Sequence, residues 1–188
     1  MHLNIQTDQV FISLSKRYAT FNMSRGFVKE DDQEEIPIVP PRANLPEGVP
    51  NYVTQVGMNE LLAEKQTLVD ERSNLDSSNE NERRIALNHI NAKLQLLENR
   101  IATAQIVKQN EQVQDEIRFG AVIKLKIVAN NSIQFFQIVG VDEADVSKGK
   151  ISFTSPLAKE LINKKIGDKA ILRRGQKDLV FEIIDITY

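Results

Sequence analysis

Leu87, Ile90, Leu94, Leu97, Ile101 and Ala104 recur at alternating spacings of three and four. That spacing is the a/d seam of a coiled-coil helix. Upstream, Leu61, Leu68 and Leu75 repeat every seven residues, with Met58, Leu62 and Val69 on the same face. Lys65 and Arg72 occupy the seam positions between them, so this arm is the less apolar of the two. Between the arms lies Leu75-Asp76-Ser77-Ser78-Asn79-Glu80-Asn81-Glu82, dominated by residues that favour turns and helix caps. The pattern predicts an antiparallel helical hairpin. Neither arm is stable alone at this length, so pairing makes both helices. The tip then carries Asp76, Glu80 and Glu82 at the far end of a stiff stalk.

The chain has 188 residues, enough for one or two domains each with a core. Its net charge of −2 excludes a generally basic nucleic-acid binder. With no cysteine there is neither a disulfide nor a thiolate metal site, and two histidines, His2 and His89, make no zinc site. His89 lies beside the seam, where packing explains it. No apolar run approaches the ~20 residues that span a bilayer, and the first residues lack the pattern of a secretory signal. A cytoplasmic protein with no membrane partner is expected.

Residues 1–51 read as an extended, disordered arm. Its first 22 residues hold one apolar cluster, Val10-Phe11-Ile12-Ser13-Leu14, and read as an extension upstream of a start at Met23. An acidic run, 30–35, precedes prolines at 37, 40, 41, 46 and 50, which exclude a helix or an inner strand. Tyr52 opens ordered structure, with Thr54 as N-cap of the first arm. The hairpin occupies 52–107, a polar linker 108–116, and a second domain 117–188.

That second domain is β-patterned. Ala121, Ile123, Leu125 and Ile127 alternate with lysines, and Asn130-Asn131 turns the chain into a strand from Ile133 to Val141. Further strands are expected at Lys150–Thr154, Lys169–Arg173 and Leu179–Thr187. A short helix, Pro156–Asn163, starts with Ser155 as N-cap and Pro156 in the first turn. The class is α+β: a helical hairpin followed by a small antiparallel sheet with one short helix.

An ordered set of residues in this domain resembles the C-terminal domain of the Gre transcript-cleavage factors, GreA and GreB, which is FKBP-like. The set is Phe119-Gly120-Ala121, Ile138-Val139-Gly140, Asp142-Glu143-Ala144-Asp145, Ile151-Ser152, Ser155-Pro156-Leu157-Ala158, Lys164-Lys165-Ile166-Gly167-Asp168 and the terminal Ile183–Tyr188. Tyr52-Val53-Thr54 with Gly57, and Ala104-Gln105-Ile106-Val107, resemble the start and end of the family's hairpin. Met23-Ser24-Arg25-Gly26-Phe27-Val28-Lys29-Glu30 resembles the N-terminus of GreB-like variants.

The resemblance implies a factor, not itself an enzyme, that enters the secondary channel of bacterial RNA polymerase as a monomer. It has no cofactor of its own and no metal in the free protein. Tip acids, here Asp76, Glu80 and Glu82, would help hold Mg²⁺ at the polymerase active centre, where backtracked RNA is cut near its 3′ end. Hard oxygen ligands suit that ion. Asp142, Glu143, Ser155 and Pro156 would dock on the channel rim. Arg83 and Arg84 would lie near RNA phosphates, although as a solvated face they need no function. The family's tip reads Asp-x-x-Glu-Asn, whereas one extra residue separates Asp76 from Glu80-Asn81 here. The stalk is also shorter by roughly fourteen residues, about 10 Å of reach. Ser77-x-x-Glu80 and Asn79-x-x-Glu82 both have capping-box spacing, a structural role for the same acids. The alternative function is therefore a regulator that occupies the channel without promoting cleavage. Prolyl isomerase chemistry, suggested by fold analogy alone, is not expected, because there is no Trp and the sequence shows no aromatic cluster to line a proline pocket.

Overall fold

The computed structural model describes residues 37–76, 78–108, 115–175 and 177–188. The extension at 1–22, the Met23 run and the acidic run at 30–35 lie outside the described residues, as does Ser77 with its capping-box reading.

Two helices form the hairpin, α1 (Gln55–Ser73) and α2 (Glu80–Thr103). Thr54 caps α1 by accepting the Gly57 amide, and Asn79 caps α2 by accepting from Asn81 and Glu82. Val53, Leu61, Leu68, Ile90, Leu94 and Leu97 form the buried seam, with Met58, Val69, Leu75, Ile101 and Ala104 partly buried against it. Leu62, expected on this face, is 45% exposed. The polar seam positions pair across the hairpin: Lys65 Nζ meets Glu98 Oε1 at 2.8 Å, and Arg72 donates to Asn91 at 3.5 Å. As one partner advances along α1 the other retreats along α2, which makes the arms antiparallel.

The hairpin's base is closed by an element absent from the sequence reading. Strands β1 (Asn51–Val53) and β2 (Ala104–Ile106) pair in parallel, Asn51 opposite Ala104 and Val53 opposite Ile106. Asn51, 3% exposed, donates its side-chain amide to Arg100 O at 2.8 Å. It thereby helps to satisfy a carbonyl in the last turn of α2, which also accepts from the Thr103 hydroxyl at 3.3 Å.

The second domain is a five-stranded sheet in the order β5-β4-β3-β7-β6. Its strands are β3 (Val122–Ile127), β4 (Ile133–Val139), β5 (Lys150–Ser152), β6 (Lys169–Arg174) and β7 (Lys177–Thr187). All pairings are antiparallel except β4 with β5. The sheet is thus antiparallel, as expected, with one parallel pair at its edge. The chain from 140 to 149 makes a loop and a 3-10 turn at Val146–Lys148, and so returns in the direction of β4. Helix α3 (Pro156–Leu161) packs on one face, capped by Ser155. It stops before the expected Asn163, which adopts a left-handed φ of 68° beyond the helix end. Ile117, Ile123, Leu125, Ile138, Leu161, Phe181 and Ile183 form the core, each 2% exposed or less. The alternation along β3 arises because successive side chains point to opposite faces, so one set enters the core. No helix among the described residues is long and apolar enough to cross a membrane.

Candidate functional site

Two regions carry chemistry: the stalk tip, and the joint where stalk and sheet domain meet.

At the tip, the Asp76 carboxylate accepts from the Ser78 amide at 2.9 Å and the Ser78 hydroxyl at 3.0 Å. Asn79 donates its side-chain amide to Glu82 Oε1 at 2.8 Å while its own oxygen caps α2. Glu82 thus takes a local part in the cap, near the capping-box geometry that its spacing suggests. Glu80 is exposed in the first turn, where its charge suits the helix dipole. Arg84 donates to Asn81 Oδ1 at 3.0 Å, and both Arg83 and Arg84 are exposed. Among the described residues no three Asp, Glu or His side chains converge as a metal site. The tip is an exposed, acid-bearing cap.

The joint is denser. Tyr52, Phe119 and Phe153 meet as three rings, with centroids 5.7–6.0 Å apart. The sequence reading, which expected no aromatic cluster, missed this one because its members are far apart in the chain. Thr54, having accepted the Gly57 amide, donates its hydroxyl to Glu143 Oε2 at 2.7 Å. One hydroxyl therefore caps the stalk and ties it to the sheet domain. Lys150 binds the other Glu143 oxygen at 3.2 Å. Asp142, with a side chain 7% exposed, is held on one oxygen by Arg42 Nε at 2.9 Å and on the other by Arg100 Nε at 2.8 Å. Arg42 also forks onto Glu64, at 2.9 and 3.0 Å. The Glu64 bond, followed by Asp142, raises the Arg42 pKa above its usual value. Nearby, the Ser147 hydroxyl and then Lys148 hold Asp145 down to about 2, so it is charged throughout the neutral range.

Asp142 and Glu143, expected in the docking loop, have their carboxylates engaged within the joint. Both face inward, because a carboxylate so far from water needs the cations and hydroxyl that surround it. Ser155 is half-buried and Pro156 exposed at the start of α3, so this part of the expected docking loop remains on the surface. Residues 37–50 contain no helix or strand, as their prolines require, yet Arg42 fastens this stretch to both sides of the joint.

Two glycines permit the close approach. A Cβ at Gly140 would stand 2.6 Å from the Tyr52 carbonyl oxygen, and one at Gly57 2.5 Å from Glu143 Oε2. Backbone does not give way as a side-chain end does. Gly140→Ala is expected to lower stability by about 2 kcal/mol, and Gly57→Ala by less. Thermal melts of the two variants check the order; equal losses would show that the Tyr52 backbone moves freely.

Residues 109–188 match the family model described as "Transcription elongation factor, GreA/GreB, C-term". Transcription elongation factor GreA of Syntrophotalea carbinolica is 34% identical over 126 residues, covering 65% of this chain and 80% of that protein. GreA of Pelobacter propionicus is 35% identical over the same length, with the same coverages. GreA of Thermodesulfovibrio yellowstonii is 34% identical over 99 residues, and there the chain spans only 63% of its relative. GreA factor homolog 1 of Thermus thermophilus is 20% identical, covering 73% of this chain and 98% of that one, with a TM-score of 0.35, too loose a likeness to carry an argument. A hairpin bearing acids at its tip, a capped joint and a matched sheet domain thus occur in one chain, and on the length and identity of the two 126-residue matches the chain belongs to the GreA/GreB family of transcription elongation factors.

Proposed function

We propose that this protein acts on RNA polymerase, seating its sheet domain on the rim of the secondary channel and extending the hairpin inward. There the tip acids promote cleavage of backtracked RNA by the polymerase's own active centre. The observation that carries this reading is the exposed set Asp76, Glu80 and Glu82 at the end of a stalk whose base is fastened to the sheet domain. The polymerase-held Mg²⁺ supplies the Lewis acidity; this chain's part is to lend hard oxygen ligands at the right depth. The exposed hydrogen bonds from Ser78 to Asp76 and from Asn79 to Glu82 are worth about 1 kcal/mol each. Arg83 and Arg84 flank the acids and are suited to RNA phosphates near the 3′ end.

Channel occupancy without cleavage is the second reading. It is favoured by the local engagement of Asp76 and Glu82, which makes them turn and cap residues in the free protein. α1 has 19 residues and α2 has 24, so the longer arm extends about 36 Å at 1.5 Å per residue. Reach along the channel decides between the readings. Stalled elongation complexes given this protein should shorten their RNA from the 3′ end; blocked access without shortening supports occupancy alone.

Docking is tested separately. Pro156 is exposed and stands where a helix loses no backbone bond to proline, so Pro156→Ala should leave the fold intact. Its affinity for polymerase should fall roughly tenfold if this surface is an interface centre. Unchanged affinity in a competition assay would remove the α3 start from the docking surface.

A further inference from the structure

We infer that the stretch before β1 is a strap across the joint, and that Arg42 is the pin that fixes the stalk's angle on the sheet domain. The inference goes beyond the proposed function and concerns the free protein. Arg42 holds two bodies at once. Its Nε is 2.9 Å from Asp142, in the sheet domain's loop, and its two terminal nitrogens fork onto Glu64 of α1. A planar guanidinium bound on two sides has little freedom to reorient. The strap's backbone is held as well, since Arg100 of α2 donates to the Ala43 carbonyl. Val39, Pro41 and Arg42 line a groove with Leu68, Lys93 and Leu96, so the strap lies along both arms of the hairpin.

Without this pin the joint retains Arg100 on Asp142, Thr54 on Glu143, the aromatic cluster and a looser pair, Lys150 of β5 to the exposed Glu60 of α1 at 3.7 Å. The Arg100 pair involves one long side chain, which can follow Asp142 through a rotation of the stalk. Thr54 and Tyr52 tie only the base of the stalk, at and before the N-cap of α1, whereas Glu64 lies farther along that helix. Arg42 instead triangulates α1, the loop and its own backbone. The Glu64 end is the exchangeable one, because its side chain is 46% exposed against 7% for Asp142.

The absence of cysteine allows clean double spin labelling. Labels at Glu71→Cys, near the tip of α1, and Lys159→Cys, on α3, report the stalk angle as a distance distribution by pulsed electron resonance. Both positions are exposed. A narrow distribution is expected in the full chain. Arg42→Ala should broaden it and raise the population outside the main peak roughly tenfold, as loss of a partly buried charged pair permits. Glu64→Gln, which leaves the buried Asp142 pair intact, should broaden it less. Circular dichroism confirms that each variant is folded; if Arg42→Ala is not, Glu64→Gln alone decides. A width unchanged by both variants, or by Glu64→Gln where it decides alone, would overturn the strap. Polymerase does not enter the measurement, so a failure here leaves the proposed function standing, and the reverse.

Discussion

Leu97→Ala is expected to unfold the hairpin at a temperature where the sheet domain is still intact. Leu97 is completely buried and sits in the seam with Leu61, Leu68, Ile90 and Leu94. Deleting a buried leucine side chain costs about 3 kcal/mol, part lost transfer energy and part cavity. The hairpin has little to set against that loss, because its core is one helix face against another and neither helix survives alone. The sheet domain has a separate buried core around Ile117, Ile123, Leu125, Ile138, Phe181 and Ile183. Melting followed at 222 nm should therefore become biphasic, helix signal disappearing first, while Phe and Tyr signals of the sheet domain persist. A single cooperative transition, merely shifted downward, would show that the joint couples the two cores into one folding unit. The same variant should still contact polymerase through α3 yet deliver no tip, since the acids depend on the seam for their position.

The hairpin was legible because its seam repeats with a period no other element shares. Leu62 was the exception, assigned inward by spacing yet turned to water because it lies beyond the narrow stripe that the other helix covers. The strands of the second domain were legible from alternation, and Asn130-Asn131 from turn chemistry; Asn131 indeed has a positive φ of 57°. What periodicity does not encode is pairing between distant residues. The parallel β1–β2 pair joins 51–53 to 104–106, and the parallel β4–β5 pair depends on how a loop returns. Asp142 and Glu143 were visible as acids in a polar loop. Their inward orientation was not, because it requires Arg42, Arg100, Thr54 and Lys150 from four other places in the chain. Composition likewise presents 37–50 as an unattached proline-rich stretch, and two arginines, Arg42 within it and Arg100 of α2, change that. The tip showed the opposite relation: Asn79-x-x-Glu82 was readable as a cap, and a cap is what the structure contains.

Replacing Asp76 with Asn and Glu80 with Gln together tests the central claim, that this chain lends carboxylates to the polymerase active centre. The substitutions keep side-chain size and leave a carbonyl oxygen to accept from Ser78, so the hairpin's shape should hold. Charge and hard-ligand strength are lost, and with them the positioning of the reacting groups. The measurement is the rate at which stalled elongation complexes shorten their RNA in the presence of saturating wild-type or variant protein, alongside competition for the secondary channel. The account predicts cleavage above the polymerase's own background with wild type, a fall of roughly a hundredfold in that stimulation with the variant, and equal channel binding by both. Equal stimulation by variant and wild type would contradict it, leaving Asp76 and Glu80 as residues of the turn and cap.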